Sequence, residues 1–421
     1  MNVFPGSAKR GYSPHFWQGN RFSPAPSIST TNISPPGLMP DRIKSIGILS
    51  TFPPTPCGLA TFSASLLRGL ESIGVEEVNV VRVVDEDDDI KIWELDRRVI
   101  SEWQLGSQTS EFQTTNVLNA HDAVFVQHEF GIFDGPDGAN LLKILATVHA
   151  PIVTTLHTVP LHPTAHQKEV LESVIDLSHT SVTMTAMAHQ RLIENYNVDP
   201  TKIVTIPHGA TLPTATSIPP ISAPRLLTWG LIGPGKGIEH AIRAIALLHL
   251  EHPDIHYLVA GRTHPKVLAH EGEKYRESLV ALTLELGVDD HVTFDDSYRS
   301  LESLLDLLAQ TTCVVLPYDS IDQITSGVLV DAIAAGRPVV ATRFPHAVEL
   351  LATGAGMLCP HKDSRALAHA IHEVISSPLK LQQMHLVSTE LAEEHSWNSV
   401  AARYFDIVNH PLPLATSAIS L

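Results

Sequence analysis

The amino-acid sequence predicts an α/β fold with two doubly wound parallel sheets that face a cleft. The chain has 421 residues, which is too long for one ordinary hydrophobic core and about right for two domains. From residue 42 onward, short β-branched runs alternate with helical patterns, and this alternation gives right-handed crossovers and a parallel sheet covered on both faces. The alternation stops at residues 209–224, which hold four prolines, and then restarts.

The first predicted domain covers residues 42–209. Its runs of β-branched and apolar residues predict strands at 46–50, 78–84, 123–127, 152–156, 181–185 and 203–206. Amphipathic patterns between them predict helices at 59–73, 138–148 and 165–177.

The second predicted domain covers residues 225–390, after a linker at 210–224. Its predicted strands are 226–229, 255–260, 291–294, 313–316, 338–341 and 357–359, and a helix is predicted at 328–335. An amphipathic helix follows within 391–410. The tails, 1–41 and 411–421, show no periodicity, and we expect the first to be disordered.

Composition narrows the function classes. A hydrophobic content of 43% with 17% charged residues is typical of a soluble globular protein, and no apolar run approaches the roughly 20 residues that span a bilayer. The three cysteines lie far apart, which favours neither a disulfide framework nor a zinc site and suits a reducing cytoplasm. A net charge of −17 argues against nucleic acid and against strong membrane association.

The most informative segment lies between Gln323 and Thr342. A polar loop ends in Thr325, Ser326 and Gly327 and leads into a predicted helix and then a buried strand. Thr325 or Ser326 can cap this helix, whose free N–H groups form a site for an anion such as phosphate. Gln323 precedes the helix and Asp331 lies about two turns later, so the two side chains can bracket one ligand.

This segment resembles the donor-sugar segment of retaining glycosyltransferases of family 4, which have the GT-B fold of two Rossmann-like domains. In that family a Glu, seven residues and a second Glu precede an A-x-G-x-P-V-V-A-T strand. Gln323 and Asp331 occupy the two acidic positions here. The resemblance implies that Gln323 contacts the transferred sugar in catalysis, and that Asp331 accepts hydrogen bonds from the nucleotide ribose.

Two glycine-containing loops follow predicted strands. Gly58 begins a helix after the first strand, at the strand edge where such sheets bind ligands, and a tight turn without a ligand is the alternative. Gly235 and Lys236 follow the strand at 226–229, where a lysine can neutralise a diphosphate. The first loop resembles a family loop whose glycine lets the backbone approach the donor phosphates. The second loop resembles the family pattern G-R-x-x-x-x-K-G, whose two cations bind the donor diphosphate. Its arginine position is Leu231, and Arg262, after the next strand, is a candidate replacement.

Histidines follow two other predicted strands. His128 and Glu129 come after the strand at 123–127, and His157 comes after the strand at 152–156, so we expect both histidines to point into the cleft. The resemblance implies that His157 hydrogen-bonds a donor hydroxyl in catalysis, and that His128 and Glu129 contact the acceptor. The chain has 24 histidines, so a structural role is the alternative for each.

Two further motifs are weaker. Residues 345–349 loosely resemble a family turn that carries a glutamate near the donor. Residues 85–89 contain a D-x-D spacing, which in other transferase folds binds a metal but here favours a solvated loop. We predict no metal and no cofactor.

The resemblance therefore implies a retaining, metal-independent glycosyltransferase of the cytoplasm that moves a sugar from a nucleotide diphosphate donor to an acceptor hydroxyl. GDP-mannose and UDP-glucose are both reasonable donors, and the acceptor is expected to be a soluble or polymeric carbohydrate. Two alternatives stay open. One is a phosphorylase of the same fold that acts on a disaccharide. The other is a nucleotide-sugar-binding protein without turnover, suggested by Leu231 and Gln323.

Overall fold

The computed structural model describes residues 43–85, 95–214, 223–297 and 299–409. The predicted tails, most of the acidic run at 85–89 and the centre of the predicted linker lie outside these residues. Every strand pairing between neighbours in the two sheets is parallel.

The first sheet has seven strands in the order β3-β2-β1-β4-β5-β6-β7. Their bounds are β1 Ser45–Ser50, β2 Glu77–Val84, β3 Val99–Gln104, β4 Ala123–His128, β5 Ile152–Leu156, β6 Thr180–Thr183 and β7 Ile203–Thr205. The helices of this part are α1 Gly58–Ser72, α2 Gln108–Leu118, α3 Leu141–Leu145, α4 Ala165–Leu177 and α5 Ala186–Asn195. The strand order reverses between β1 and β4, which makes their carboxyl ends the expected place for a ligand.

The second sheet has six strands in the order β10-β9-β8-β11-β12-β13. Their bounds are β8 Arg225–Trp229, β9 His256–Ala260, β10 Val292–Asp295, β11 Cys313–Leu316, β12 Val339–Thr342 and β13 Gly356–Cys359. The helices are α6 Ile238–Leu248, α7 Pro265–Glu271, α8 Lys274–Leu286, α9 Leu301–Ala309, α10 Gly327–Ala334, α11 Pro345–Leu351, α12 Ser364–Ile375, α13 Pro378–Ala392 and α14 Trp397–Asn409. Here the order reverses between β8 and β11.

Helix α14 packs on the first sheet's helix α1. Val400, Ala401 and Tyr404 are fully buried in the same hydrophobic cluster as the apolar residues of β1 and α1. The Tyr404 hydroxyl hydrogen-bonds the Thr155 hydroxyl on β5 at 2.9 Å. The two helices approach closely at Gly69, where an added Cβ would lie 2.6 Å from a backbone oxygen of α14. Helix α14 is therefore fixed to the first sheet and its helix α1.

The predicted fold class of two doubly wound parallel sheets is confirmed. Strand β3 was not predicted from the sequence, because an edge strand is covered less completely than a central one. Its residues alternate between buried and solvent-facing positions, with Trp103 buried and Ile100 44% exposed. The exact domain and linker boundaries stay predictions. Within the described ranges, no helix is both long and apolar enough to cross a bilayer.

Candidate active site

Several predicted site residues lie at or after the carboxyl ends of strands that flank the two reversals of strand order. Gly58 follows β1, and His128 ends β4. Lys236 lies between β8 and α6, and Gln323 lies between β11 and α10. Doubly wound sheets form ligand-binding crevices at these points, so the topology itself gathers the predicted residues.

In the loop after β1, the backbone at Gly58 is accessible to a ligand. Gly58 is the first residue of α1 and is exposed, and a Cβ added there would meet no atom within 4 Å. The Cys57 thiol caps the helix by accepting from the Ala60 N–H at 3.4 Å. A ligand can therefore approach the start of α1 without displacing a side chain.

The loop before α6 is held tightly, and only glycine fits one of its positions. Gly237 has φ +64°, and a Cβ there would lie 1.9 Å from the Pro317 carbonyl oxygen after β11. Gly235 is exposed with φ +87° and has open space around it. The loops after β8 and β11 thus pack backbone to backbone, with the Asp319 N–H donating to the Gly235 carbonyl at 2.9 Å.

Lys236 projects from this loop, and no described residue supplies it with a counter-charge. Its Nζ lies 4.5 Å from the centroid of the Tyr318 ring, over the ring face. Burial is the single cause that lowers its pKa, and no opposite charge raises it. A half-buried ammonium that contacts only an aromatic ring among the described residues can pair with an anionic ligand.

Two further cations lie beside this loop. Arg262 is exposed, and its Nε donates to the Asp296 carbonyl at 3.3 Å. Its own carbonyl accepts from the Ile232 N–H at 2.8 Å, which ties the Arg262 segment to the glycine-rich loop. Lys266, on α7, was not predicted as a site residue. Its Nζ lies 3.4 Å from a Cβ position built on Gly131, so it reaches across to the loop that follows β4.

Helix α10 begins at Gly327, directly after its N-cap residue. Ser326 is its N-cap, and the Ser326 hydroxyl accepts from the Leu329 N–H at 3.3 Å. The Ser326 N–H is not available to a ligand, because it donates to His346 Nδ1 at 2.8 Å. Buried Thr325 Oγ1 has no hydrogen-bond partner among the described residues. Any anion at this end would therefore be bound by N–H groups that follow Ser326.

His208 lies over the same helix start. A Cβ added to Gly327 would come within 3.0 Å of the His208 ring. The ring is oriented by its Nδ1–H, which donates to the Gly209 carbonyl at 2.7 Å. His208 was not predicted, because its place in the stretch after β7 gives no sign that it reaches α10.

The two residues at the family's acidic positions differ in environment. The Gln323 amide donates to the Thr325 carbonyl and so closes the loop before α10. Asp331 is partly buried, and burial raises the pKa of its carboxyl to about 7. No other cause contributes to this shift, so no cation among the described residues compensates the Asp331 carboxylate.

His157 is fixed in a neutral form beside the cleft. Its Nε2–H donates to Gln127 Oε1 at 2.8 Å, and the ring packs edge-on against Phe62. Burial, followed by His208 and His128, lowers the pKa of His157 to about 3. The imidazole therefore keeps a lone pair on Nδ1 at neutral pH.

His128 does not point into the open cleft, contrary to the expectation from sequence. Its side chain has no exposed surface and packs against the rings of Phe130 and Phe133. Burial lowers its pKa to about 4, and neither ring nitrogen has a partner among the described residues. A strand residue faces one side of its sheet or the other, and this one faces the core. Direct acceptor contact by His128 stays a prediction that this geometry does not support.

Glu129 lies nearer the cleft. Its carboxylate accepts from the Thr158 hydroxyl and, at 3.1 Å, from the Phe130 N–H. Burial raises the pKa of Glu129, while these hydrogen bonds and Lys266 act against that rise. The carboxylate is thus half-buried, oriented, and placed on the opposite side of the cleft from Lys236.

Glu349 binds the first sheet's side of the molecule. Its two carboxylate oxygens accept from the Ala186 and Met187 N–H groups at 2.8 and 2.9 Å, at the N-terminus of α5. Asp322 makes a second link, because it pairs with buried Arg191 and accepts from the Leu161 N–H at 3.0 Å. The loop that carries Gln323 is thereby anchored to both parts of the chain. Both Glu349 carboxylate oxygens are engaged at α5, and the loosely predicted donor contact of this residue stays a prediction.

One group near Lys236 has the residue types of a metal site. The ligand atoms of Glu239, His240 and Asp319 lie within 4.8 Å of one another. Glu239 already accepts from the Tyr275 hydroxyl at 2.7 Å, and His240 Nε2 lies 3.2 Å from Asp319 Oδ1. The absence of a metal from the reaction stays a prediction.

The family match falls on the part of the chain that carries the second sheet. Residues 223–377 match the family model described as glycosyl transferases group 1. A glycogen synthase from Mycobacterium tuberculosis is 26% identical over 295 residues, which cover 68% of this chain and 66% of the relative. A D-inositol 3-phosphate glycosyltransferase from a Mycobacterium species is 31% identical over 218 residues, which cover 49% of this chain and 46% of the relative. The chain thus spans about half to two thirds of these curated relatives.

Solved structures share the fold. HepE from Anabaena in complex with UDP has a TM-score of 0.67 at 17% identity, covering 86% of this chain and 99% of that one. Sucrose-phosphate synthase from Thermosynechococcus elongatus has a TM-score of 0.69 at 16% identity, covering 86% and 98%. At these identities the likeness concerns the fold alone.

Proposed function

We propose that this chain, a glycosyltransferase of the GT-B type with a glycosyl transferases group 1 domain at residues 223–377, moves a sugar from a nucleotide diphosphate donor to an acceptor hydroxyl. One observation carries the proposal. Lys236 holds an ammonium group in the loop before α6 with no counter-charge among the described residues, and the N-terminus of α10 follows the neighbouring strand β11. Both features favour the same kind of ligand, a diphosphate.

The nucleotide end of the donor is assigned to Asp331. Its carboxyl is partly buried and no cation within the described ranges compensates it, so ribose hydroxyl groups are suitable partners. The HepE structures contain UDP, UDP with glucose, and UDP-glucose, which makes UDP-glucose the first donor to test. GDP-mannose is the second.

The reaction proposed is retaining and needs no metal. The bond between the sugar's anomeric carbon and the diphosphate oxygen breaks, and a new bond forms to the acceptor oxygen on the same face. The acceptor proton moves to the leaving phosphate. Lys236, the N–H groups that start α10 and the cations Arg262 and Lys266 would stabilise the charge that develops on the diphosphate.

His157 would position the sugar. Because its Nε2–H is used by Gln127, the Nδ1 lone pair is left to accept a hydrogen bond from a donor hydroxyl. Its low pKa keeps this lone pair unprotonated over the physiological range. Glu129 is assigned to the acceptor, because a half-buried carboxylate on the far side of the cleft can accept from carbohydrate hydroxyls.

A soluble or polymeric carbohydrate acceptor and a cytoplasmic location complete the proposal. The net charge of −17 favours neither an anionic membrane surface nor nucleic acid as a partner.

The competing possibility is a protein that binds nucleotide sugars without turnover. It is favoured by the uncharged Leu231 and by Gln323, whose amide is engaged by the Thr325 carbonyl. A thermal-shift screen of nucleotide sugars identifies the donor, since a ligand at 100 times its Kd adds about 2.7 kcal/mol. Release of nucleoside diphosphate in the presence of an acceptor then supports the transferase. Binding without release supports the alternative, and sugar phosphate formed from a disaccharide and inorganic phosphate supports a phosphorylase.

If transfer occurs, Gln323→Ala should depress kcat more than it weakens nucleotide binding, because the amide is assigned to the sugar. Equal turnover by the variant and the wild-type protein would remove Gln323 from the catalytic residues.

A further inference from the structure

A second cluster of potential ligands lies where the end of α6 meets α12. Glu251 and His252 follow the last turn of α6, and His372 lies on α12. His252 Nε2 is 3.1 Å from His372 Nδ1, and Glu251 Oε2 is 3.6 Å from the same His372 nitrogen. All three ligand atoms lie within 4.8 Å of one another.

The polar atoms around His372 outnumber the hydrogen bonds that its ring nitrogen can make. The Ser376 hydroxyl is also 3.3 Å from His372 Nδ1, so three polar groups surround a nitrogen with one proton or one lone pair. Tetrahedral zinc has metal–nitrogen distances of about 2.0–2.1 Å, which places neighbouring ligand atoms about 3.3 Å apart. The two distances to His372 Nδ1 lie close to that spacing.

The helices that carry these ligands are rigidly joined. Ile245 and Leu248 of α6 belong to the same buried cluster as Ile371 and Val374 of α12. The cluster is reachable from solvent, because the Glu251 side chain is 66% exposed and that of His372 is 31% exposed. The ligands are thus held in place before an ion arrives, and an ion has a path to them.

We propose that Glu251, His252 and His372 bind Zn²⁺, with water as the fourth ligand. Two imidazoles and one carboxylate are ligands that zinc accepts. Helix α6 is 11 residues long, or about 16 Å, and Lys236 precedes its other end, so this site is separate from the donor cleft. The ion joins the end of α6 to α12 and stabilises the second sheet's helical layer.

The test is calorimetric titration of Zn²⁺ into the full chain without a histidine tag, after removal of metals with a chelator. The wild-type protein should show one site that is tighter than all others. His252→Gln and His372→Gln should each weaken it by about tenfold or more, since even groups that only orient ligands change affinity by 10–100-fold. His369→Gln is the matched control, an exposed histidine one turn earlier on α12, and should change affinity by less than about threefold.

Two further readouts test the geometry. Co²⁺ should give the visible absorption of a tetrahedral centre in the wild-type protein and in His369→Gln, but not in His252→Gln. Zn²⁺ should raise the Tm of the same two proteins. A wild-type chain without a distinct tight site would overturn the proposal, as would folded His252→Gln and His372→Gln variants that bind Zn²⁺ as tightly as the wild type.

Discussion

Replacing Lys236 tests the diphosphate assignment most sharply among single substitutions. Its ammonium lies 4.5 Å from the Tyr318 ring centroid, and burial alone shifts its pKa. The part of the chain that the structure describes therefore supplies no anion to this cation. If the donor diphosphate is its partner, removal of the charge should affect catalysis far more than folding.

The expected magnitudes separate the two effects. Losing one charge-assisted contact to a developing anion in a water-excluded site costs about 2.7–4 kcal/mol, or roughly 100- to 1,000-fold in kcat/KM. Lys236→Met keeps an apolar side chain and loses a cation–π contact that contributes about 0.5–2 kcal/mol to the free energy of unfolding. Because the substitution also removes the cost of burying a charge, this loss is largely offset. The Tm should therefore shift by less than about 4 °C.

The assay is release of nucleoside diphosphate at several donor concentrations for Lys236→Met and Lys236→Ala. Lys274→Ala, an exposed lysine at the start of α8, is the control and should retain full activity. A value of kcat/KM for Lys236→Met within threefold of the wild type would refute the diphosphate assignment. So would a large fall in Tm with unchanged activity per folded molecule.

Three other outcomes are expected. Because burial raises the pKa of Asp331 to about 7, its carboxyl is mostly protonated at pH 6 and mostly ionised at pH 8. The affinity for the nucleotide sugar, measured by calorimetry, should therefore rise about tenfold over that range. Asp331→Asn should remove this pH dependence, and a pH-independent affinity of the wild-type protein would contradict the ribose assignment. His157→Ala should lose most turnover with little change in Tm, whereas a large Tm loss with intact activity per folded molecule indicates a structural role. Glu349→Ala removes the carboxylate that accepts from the first N–H groups of α5, so we expect the free energy of unfolding to fall by about 1 kcal/mol. We also expect a larger radius of gyration in solution scattering. An unchanged radius would show that Glu349 does not hold the two sheets' domains together.

Most of the fold was predictable because its strands are buried on both faces. Such strands read as continuous apolar runs, as the fully buried residues 313–316 of β11 show. The edge strand β3 was not predicted because only two of its six residues are buried and three of the others, Ser101, Glu102 and Gln104, are polar. Nothing in a local pattern of that kind distinguishes a strand from a loop.

The candidate site was predictable only where position along a strand determines position in space. Asp331 was assigned from the family resemblance of the segment that forms α10, whereas Lys236 was assigned from its place in a loop that follows a buried strand. His128 was assigned in the same way, but its side chain faces the core, because neighbouring positions on a strand alternate between faces. Lys266 and His346 depend on contacts between distant segments, and no local motif encodes those contacts.

The most direct test of the central claim is a crystal structure of the chain with UDP-glucose or GDP-mannose, whichever binds more tightly in the thermal-shift screen. We expect the diphosphate within hydrogen-bond distance of Lys236 Nζ and of the N–H groups that begin α10, with the ribose hydroxyls donating to Asp331. The sugar should lie between Gln323 and His157. A nucleotide bound elsewhere, or bound in this cleft without contact to either Lys236 or α10, would contradict the proposed donor site.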